Sequence, residues 1–239
     1  PYMLYRAHWK SFASTLVFIL LLNALPGIFI GMQHQTSLLQ SRWNLINPAQ
    51  DRHLFDVEET SFHSLTTVIP ILCMEDSGDR STVPFARNLC DLEPQEVKWI
   101  IHLARFLLVL GAMWFLRTVP FRSANSQEHA WWEFSYLLLC IPLIFPHQQH
   151  YAFLMGWPAM LWQLRTWLNR GSGSLFTKLN PLLFLLVFIC FNGSILLGFW
   201  RAELEHFKIV TFGALILIVL HIRTPPVLAG RTSVESPVK

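Results

Sequence analysis

Apolar residues in this chain come in blocks of about 18 to 22, the length that carries an α-helix across roughly 30 Å of hydrocarbon. Polar stretches part the blocks, and within them there is no polar stripe of the kind a surface helix carries. The sides of such helices must face lipid or other helices. Six of these segments are predicted, at about residues 12–32, 97–116, 130–145, 151–168, 179–200 and 204–222. Pro26 and Gly27 predict a kink in the first, and Pro158 falls inside the fourth. The third and fourth are short, so their junction is expected to lie at membrane depth, lining a cavity within the protein.

Residues 33–96 form the longest polar connection. It contains an apolar stretch at 61–74, preceded by the acidic residues Asp56, Glu58 and Glu59. That stretch is too short to span, and an interfacial or re-entrant helix starting after the carboxylates is expected. The following segment, with Gly78 and Pro84, reads as a surface loop. Gly171-Ser172-Gly173-Ser174 reads as a flexible turn. The fold class expected is therefore an all-α, multi-pass membrane bundle of about six helices. Residues 1–239 would form a single transmembrane domain with a long external loop at 33–96.

Composition agrees. Apolar residues make up 53% and charged residues only 14%, against roughly a quarter charged in soluble domains. The formal charge of +3 comes from scattered single Lys and Arg residues. No basic stripe interleaves with aromatics, so nucleic acid is not an expected partner; the lipid bilayer is. Trp9, Trp99, Trp131, Trp132, Trp167 and Trp200 fall near predicted helix ends, where membrane interfaces collect them.

Charge also orients the chain. Arg6 and Lys10, Arg117 and Arg122, Arg165, Arg170 and Lys178, then Arg223, Arg231 and Lys239 all fall on one side of a six-helix count. The positive-inside rule makes that side, and both termini, cytoplasmic. The acidic 33–96 loop, the 145–151 junction and the turn around Arg201 and Glu203 then lie outside. Pro1 stands first and no signal-peptide pattern follows, so the chain is read as the C-terminal part of a longer membrane protein. Cys140 and Cys190 read as small core residues. Cys73 and Cys90 share the external loop, where an oxidising compartment would permit a disulfide.

Candidate chemistry gathers in Phe145-Pro146-His147-Gln148-Gln149-His150-Tyr151. Two histidines and two amides are costly to place in lipid, and such clusters are functional candidates. A three-residue spacing would put His147 and His150 on one helix face. They make a poor zinc pair without a third ligand but good hydrogen-bond donors to a phosphate or sugar, with Gln148 and Gln149 adding amide donors. Headgroup-wetted interfacial histidines are the alternative. Glu58 and Glu59 are candidates for substrate contact or for general base toward a sugar hydroxyl; favourable charge at a helix N-terminus is the alternative. Arg105, near His102, suits phosphate binding if it faces a cavity, and snorkelling to the interface if it does not. Glu133 reads as an interfacial charge. Asn192-Gly193-Ser194 sits inside a span and is rejected as a glycosylation site.

Ile141-Pro142-Leu143-Ile144-Phe145-Pro146-His147-Gln148 resembles the Ser-Pro-Ile-Ser-Trp-Asp-His-His signature of glycosyltransferase family 87. Pro142 and His147 match that signature; Phe145, Pro146 and Gln148 replace its Trp, Asp and second His. Glu59-Thr60-Ser61-Phe62-His63-Ser64-Leu65 resembles the family's Asn-Gln-Ser-Leu segment more loosely. Tyr5-Arg6-Ala7-His8-Trp9-Lys10 is similar to its basic linker. The resemblance implies a GT-C-like, multi-pass hexosyltransferase of a bacterial cytoplasmic membrane. The donor would be a polyprenyl-phosphate sugar, usually mannose, and the acceptor an external lipid or glycan, with inversion. It implies that His147 is the catalytic contact to the donor phosphate, and that the catalytic carboxylate belongs to an upstream region. No cofactor is required, although some related enzymes use a divalent ion. A transporter with a polar midplane site, and a non-catalytic membrane scaffold, are the competing classes; the halves of related sequence expected of the former are not visible.

Overall fold

A computed structural model describes residues 2–47, 54–55, 61–75, 86–116, 120–121, 126–169 and 175–226. The described chain is helical nearly throughout. Its elements are α1 (Tyr2–Tyr5), α2 (Trp9–Ile30), α3 (Met32–Ile46), α4 (Leu65–Cys73), α5 (Pro94–Phe115), α6 (Gln127–Ile144), a 3₁₀ segment (His150–Gly156), α7 (Trp157–Asn169), α8 (Leu175–Leu196), a 3₁₀ turn (Gly198–Trp200), α9 (Arg201–His206) and α10 (Ile209–Arg223). Two of the helices, α2 and α5, are long and apolar enough to cross a membrane. A third crossing is counted if α8 from Pro181 and the segment Gly198–His206, bent by 89° at their break, form one span.

Each of the six expected segments is helical, with several boundaries moved. Pro26 lies within the single helix α2, and the chain turns instead at Gly31, whose φ of 84° suits only glycine at low cost. The following residues are a 15-residue helix rather than loop. Gln35 reaches back to donate to the Asn23 carbonyl at 2.8 Å. The fourth segment opens as 3₁₀, and Pro158 becomes the second residue of α7, where its missing N–H costs nothing. The sixth begins only at Ile209, behind a left-handed Lys208. Residues 201–206 belong to the separate helix α9. The 61–74 stretch does hold a helix, α4. Leu65, Val68, Pro70 and Ile71 are buried, and α4 packs on α5 and α6.

The core lies where α6, α7, α8 and α10 meet. Two glycines allow its closest approaches. A Cβ on Gly213 of α10 would lie 2.5 Å from the Cys190 Cβ of α8. One on Gly111 of α5 would collide with the Tyr136 hydroxyl of α6, which donates to the Leu108 carbonyl at 3.0 Å. At one end of the bundle the Trp132 indole donates to the His221 carbonyl at 2.9 Å, and His221 Nε2 returns a bond to the Trp132 carbonyl at 2.7 Å. The Trp162 indole holds the Thr224 carbonyl at 2.9 Å. Antiparallel α6 and α10 are thereby fixed in register, which sets what meets at their other end.

That same end also carries a buried ion pair. Arg6 and Glu133 are 1% and 0% exposed. Arg6 Nε donates to Glu133 Oε2 at 2.8 Å and its Nη2 to Oε1. The Tyr2 hydroxyl adds a bond to Oε2 at 3.0 Å, and His129 Nε2 lies 3.1 Å from Oε1. Glu133 is thus the anchor for the N-terminal hook, not the interfacial charge expected.

Candidate functional site at the histidine loop

After Ile144 the chain must leave α6 without exposing unpaired backbone in an apolar setting. It does so by pairing with the segment that leads into α4. Phe62 and Gln149 form an antiparallel bridge, isolated among the described residues. The His63 N–H donates to the Gln148 carbonyl at 2.8 Å. The Thr211 hydroxyl at the head of α10 donates to the His63 carbonyl. Three parts of the chain, some 80 and 60 residues apart, are tied into one polar junction at the end of the bundle opposite Glu133.

His147 takes a left-handed φ of 56°, a region that histidine enters more readily than most residues with a side chain. Its ring, half-buried, stands edge-on to Phe62 with centroids 5.0 Å apart. His150 begins the 3₁₀ segment instead of continuing a helix. The two histidines therefore do not share the helix face that their spacing suggested. His150 faces inward, where Nε2 donates to the Phe191 carbonyl at 2.9 Å. Because a carbonyl only accepts, this bond fixes the proton on Nε2. Gln148 spends its amide on the Pro146 carbonyl at 2.9 Å, while the Gln149 side chain is exposed.

Sequence reasoning gave no role to His63, yet it is the most buried histidine of the junction, 2% exposed. Its ring lies 5.7 Å from that of His150 and 6.3 Å from that of Phe153. Nδ1 has no hydrogen-bond partner. Burial first, then the neighbouring Lys208 and His150, push its pKa down to about 3, so the ring is neutral at pH 7. Beside it lies a cavity of about 10 Å³, room for one water, lined by His63, His150, Ser194, Glu205 and apolar side chains. Lys208, 1% exposed, closes α9 onto α10. The signal for these residues was present in the sequence. Glu205, His206 and Lys208 within four residues are incompatible with the interior of a span.

Arg105 lies on the inward face of α5 with Ile101 and Leu108, 8% exposed, so it does not snorkel. Glu58 and Glu59 lie outside the described residues. Among the described residues no three His, Cys, Asp or Glu side chains are placed to hold a metal ion. Compared with known family models, curated proteins and solved structures, the chain matches none. The junction's own geometry carries what can be said of its chemistry. It offers imidazole and amide groups on a hydrogen-bonded loop at one end of an apolar bundle.

Proposed function

We propose that the chain is a membrane-embedded hexosyltransferase module of GT-C type. It would take a sugar, mannose by the family resemblance, from a polyprenyl-phosphate donor on the outer face of a bacterial cytoplasmic membrane. The observation that carries this reading is the pairing of Phe62–His63 with Gln148–Gln149. These are the two segments that resemble the family's motifs, and they are remote in sequence. A fold that brings them edge to edge supports a common site.

In this reading six crossings are made by α2, α5, α6, the 3₁₀ segment with α7, α8, and α10, with α9 at the outer face between the last two, and both ends of the chain are cytoplasmic. α7 and α10 are short for crossings, with 13 and 15 residues. The 3₁₀ segment adds about 14 Å to α7 at 2.0 Å per residue. The donor's prenyl tail would lie in lipid against the bundle, with its phosphate at the loop. An acceptor hydroxyl attacks the anomeric carbon, the bond to the phosphate oxygen breaks, and polyprenyl phosphate leaves. His147 donates to the phosphate, most strongly as charge builds on it in the transition state. Glu58 and Glu59, just ahead of the paired segment in sequence, are proposed to contact the substrate, and the carboxylate that receives the acceptor's proton belongs to the upstream region that the resemblance implies.

The test is transfer of a labelled sugar from a polyprenyl-phosphate donor by the full-length protein. His147→Ala should lower turnover by about 10²-fold, the range for losing one such donor, with the unfolding midpoint unchanged. His150→Ala should lower the midpoint, because it strips the Phe191 carbonyl of its donor. Undiminished transfer by His147→Ala refutes the assigned role.

A further inference from the structure

Cys73 and Cys90, which flank residues 74–89 in the sequence, are brought together by backbone contacts that do not depend on their side chains. The Leu72 carbonyl accepts from the Leu89 N–H at 2.7 Å and from the Cys90 N–H at 3.3 Å. The Cys73 carbonyl accepts from the Leu92 N–H at 2.8 Å. Cys90 Sγ itself approaches the Leu72 carbonyl at 4.0 Å. The chain entering α5 is thus laid along the last turn of α4, which sets Cys90 beside Cys73, close enough to raise the Cys73 pKa. Cys73 is half-buried, Cys90 is exposed, and both are thiols in this structure.

We infer that Cys73 and Cys90 form a native disulfide that staples the end of α4 to the start of α5. The bond rests on the outer placement of this loop in the topology proposed above, because cytoplasmic thiols are kept reduced. The oxidant is an exchangeable disulfide on an extracytoplasmic thiol oxidant. Cys90 is the accessible partner and as thiolate attacks that disulfide, forming a mixed disulfide and releasing one carrier thiol. The Cys73 thiol, held protonated by its burial and by Cys90 beside it, gives up its proton and attacks Cys90 Sγ. The second carrier thiol leaves. One disulfide is made, one is reduced, and two protons balance the carrier's two thiols.

The staple bears on the histidine junction. Its segment, Phe62 to Ser64, runs directly into α4, whose C-terminal end the bond would anchor. Fixing one end of a nine-residue helix limits how far the other can swing from Gln148 and Gln149.

Intact-mass measurement of full-length protein from membranes quenched with an alkylating agent tests this. The expected mass is lower by two hydrogens, Cys73 and Cys90 are unalkylated, and the Cys73–Cys90 linked peptide is recovered after digestion. Cys73→Ser should lower the unfolding midpoint by several degrees without reductant, and wild type in reductant should fall to the same value. Free thiols at both positions in freshly quenched membranes overturn the proposal. If they then cross-link within one chain under mild oxidation, the contact is real and the outer placement is what fails. If they do not, the contact itself fails. A bond found only between chains also overturns it. No transfer assay enters, so failure here is separable from failure of the transferase reading.

Discussion

Removing Glu133 should be the most damaging single change at the Arg6 end of the bundle, and worse than removing Arg6. Both side chains are essentially inaccessible, and Glu133 accepts two bonds from Arg6 and one from Tyr2. In Glu133→Leu the guanidinium stays buried and cannot lose its proton. Breaking one side of a buried pair in this way costs about 3–5 kcal/mol. In Arg6→Met the carboxyl keeps its bond from Tyr2 and its place beside His129. Its deficit should therefore be smaller. Burial and the neighbouring carboxylate raise the Tyr2 pKa, so its hydroxyl stays a donor throughout. The double variant Arg6→Met/Glu133→Leu leaves neither charge buried, and replacing a buried pair with apolar groups is often neutral or stabilising. It should recover most of the loss, giving a coupling energy of several kcal/mol. Thermal unfolding in detergent, followed by tryptophan fluorescence, reads all four proteins. Accessibility of a cysteine placed at Ala7 reads whether the hook has let go. Additive effects, each below about 1 kcal/mol, would refute a coupled buried pair, since independent sites add within roughly 0.3–0.5 kcal/mol.

Other expectations follow from the core and the junction. His63 has a folded pKa of about 3 against 6.5 unfolded, so between those values the unfolded chain holds a proton that the folded chain lacks. Stability should then fall as pH drops from 6.5 toward 3, by up to about 1.4 kcal/mol per unit from this group. His63→Gln should flatten that slope in unfolding midpoints taken from pH 7 to 4, and an unchanged slope would show that His63 is not buried as described. Gly213→Ala drives a Cβ to 2.5 Å from that of Cys190 and should cost about 1–3 kcal/mol by forcing α10 off α8. A midpoint equal to wild type would mean that the two helices do not cross there.

Six of the helices could be read from sequence because their signal is length and continuous apolarity, and neither depends on partners. Their ends could not, for reasons particular to each. Pro26 suggested a kink; the helix runs on through it, since a proline within an exposed apolar helix loses one bond and is tolerated, and Gly31 supplies the φ that ends α2. Residues 201–206 were divided between an external turn and the start of the sixth span because apolar neighbours dominate any long window. Arg201 and Glu205, paired at 2.8 Å across one turn, mark them as a separate helix. α3 was invisible because its sequence is polar overall, and α3 gains stability from docking on α2 rather than from a strong apolar stripe.

The histidine loop was found in the sequence, but its internal division of labour was not, and backbone accounting explains why. A chain that leaves a helix inside an apolar bundle must pair each N–H and C=O with something. Several polar residues at this junction meet that requirement first. Gln148 serves the Pro146 carbonyl, His150 the Phe191 carbonyl and Thr211 the His63 carbonyl. Polarity at the mouth of a membrane helix is therefore evidence of irregular backbone before it is evidence of chemistry. It becomes evidence of chemistry for groups whose placement that need does not explain. The buried Nδ1 of His63 has no partner although it sits beside a water-sized cavity. The His147 ring is set against Phe62 on a left-handed residue. Of these two, His63 presents a ring nitrogen that the backbone leaves unused, and His147 a half-buried ring at the edge of the junction. His150 and Gln148, equally prominent in the sequence, are part of the frame that holds them.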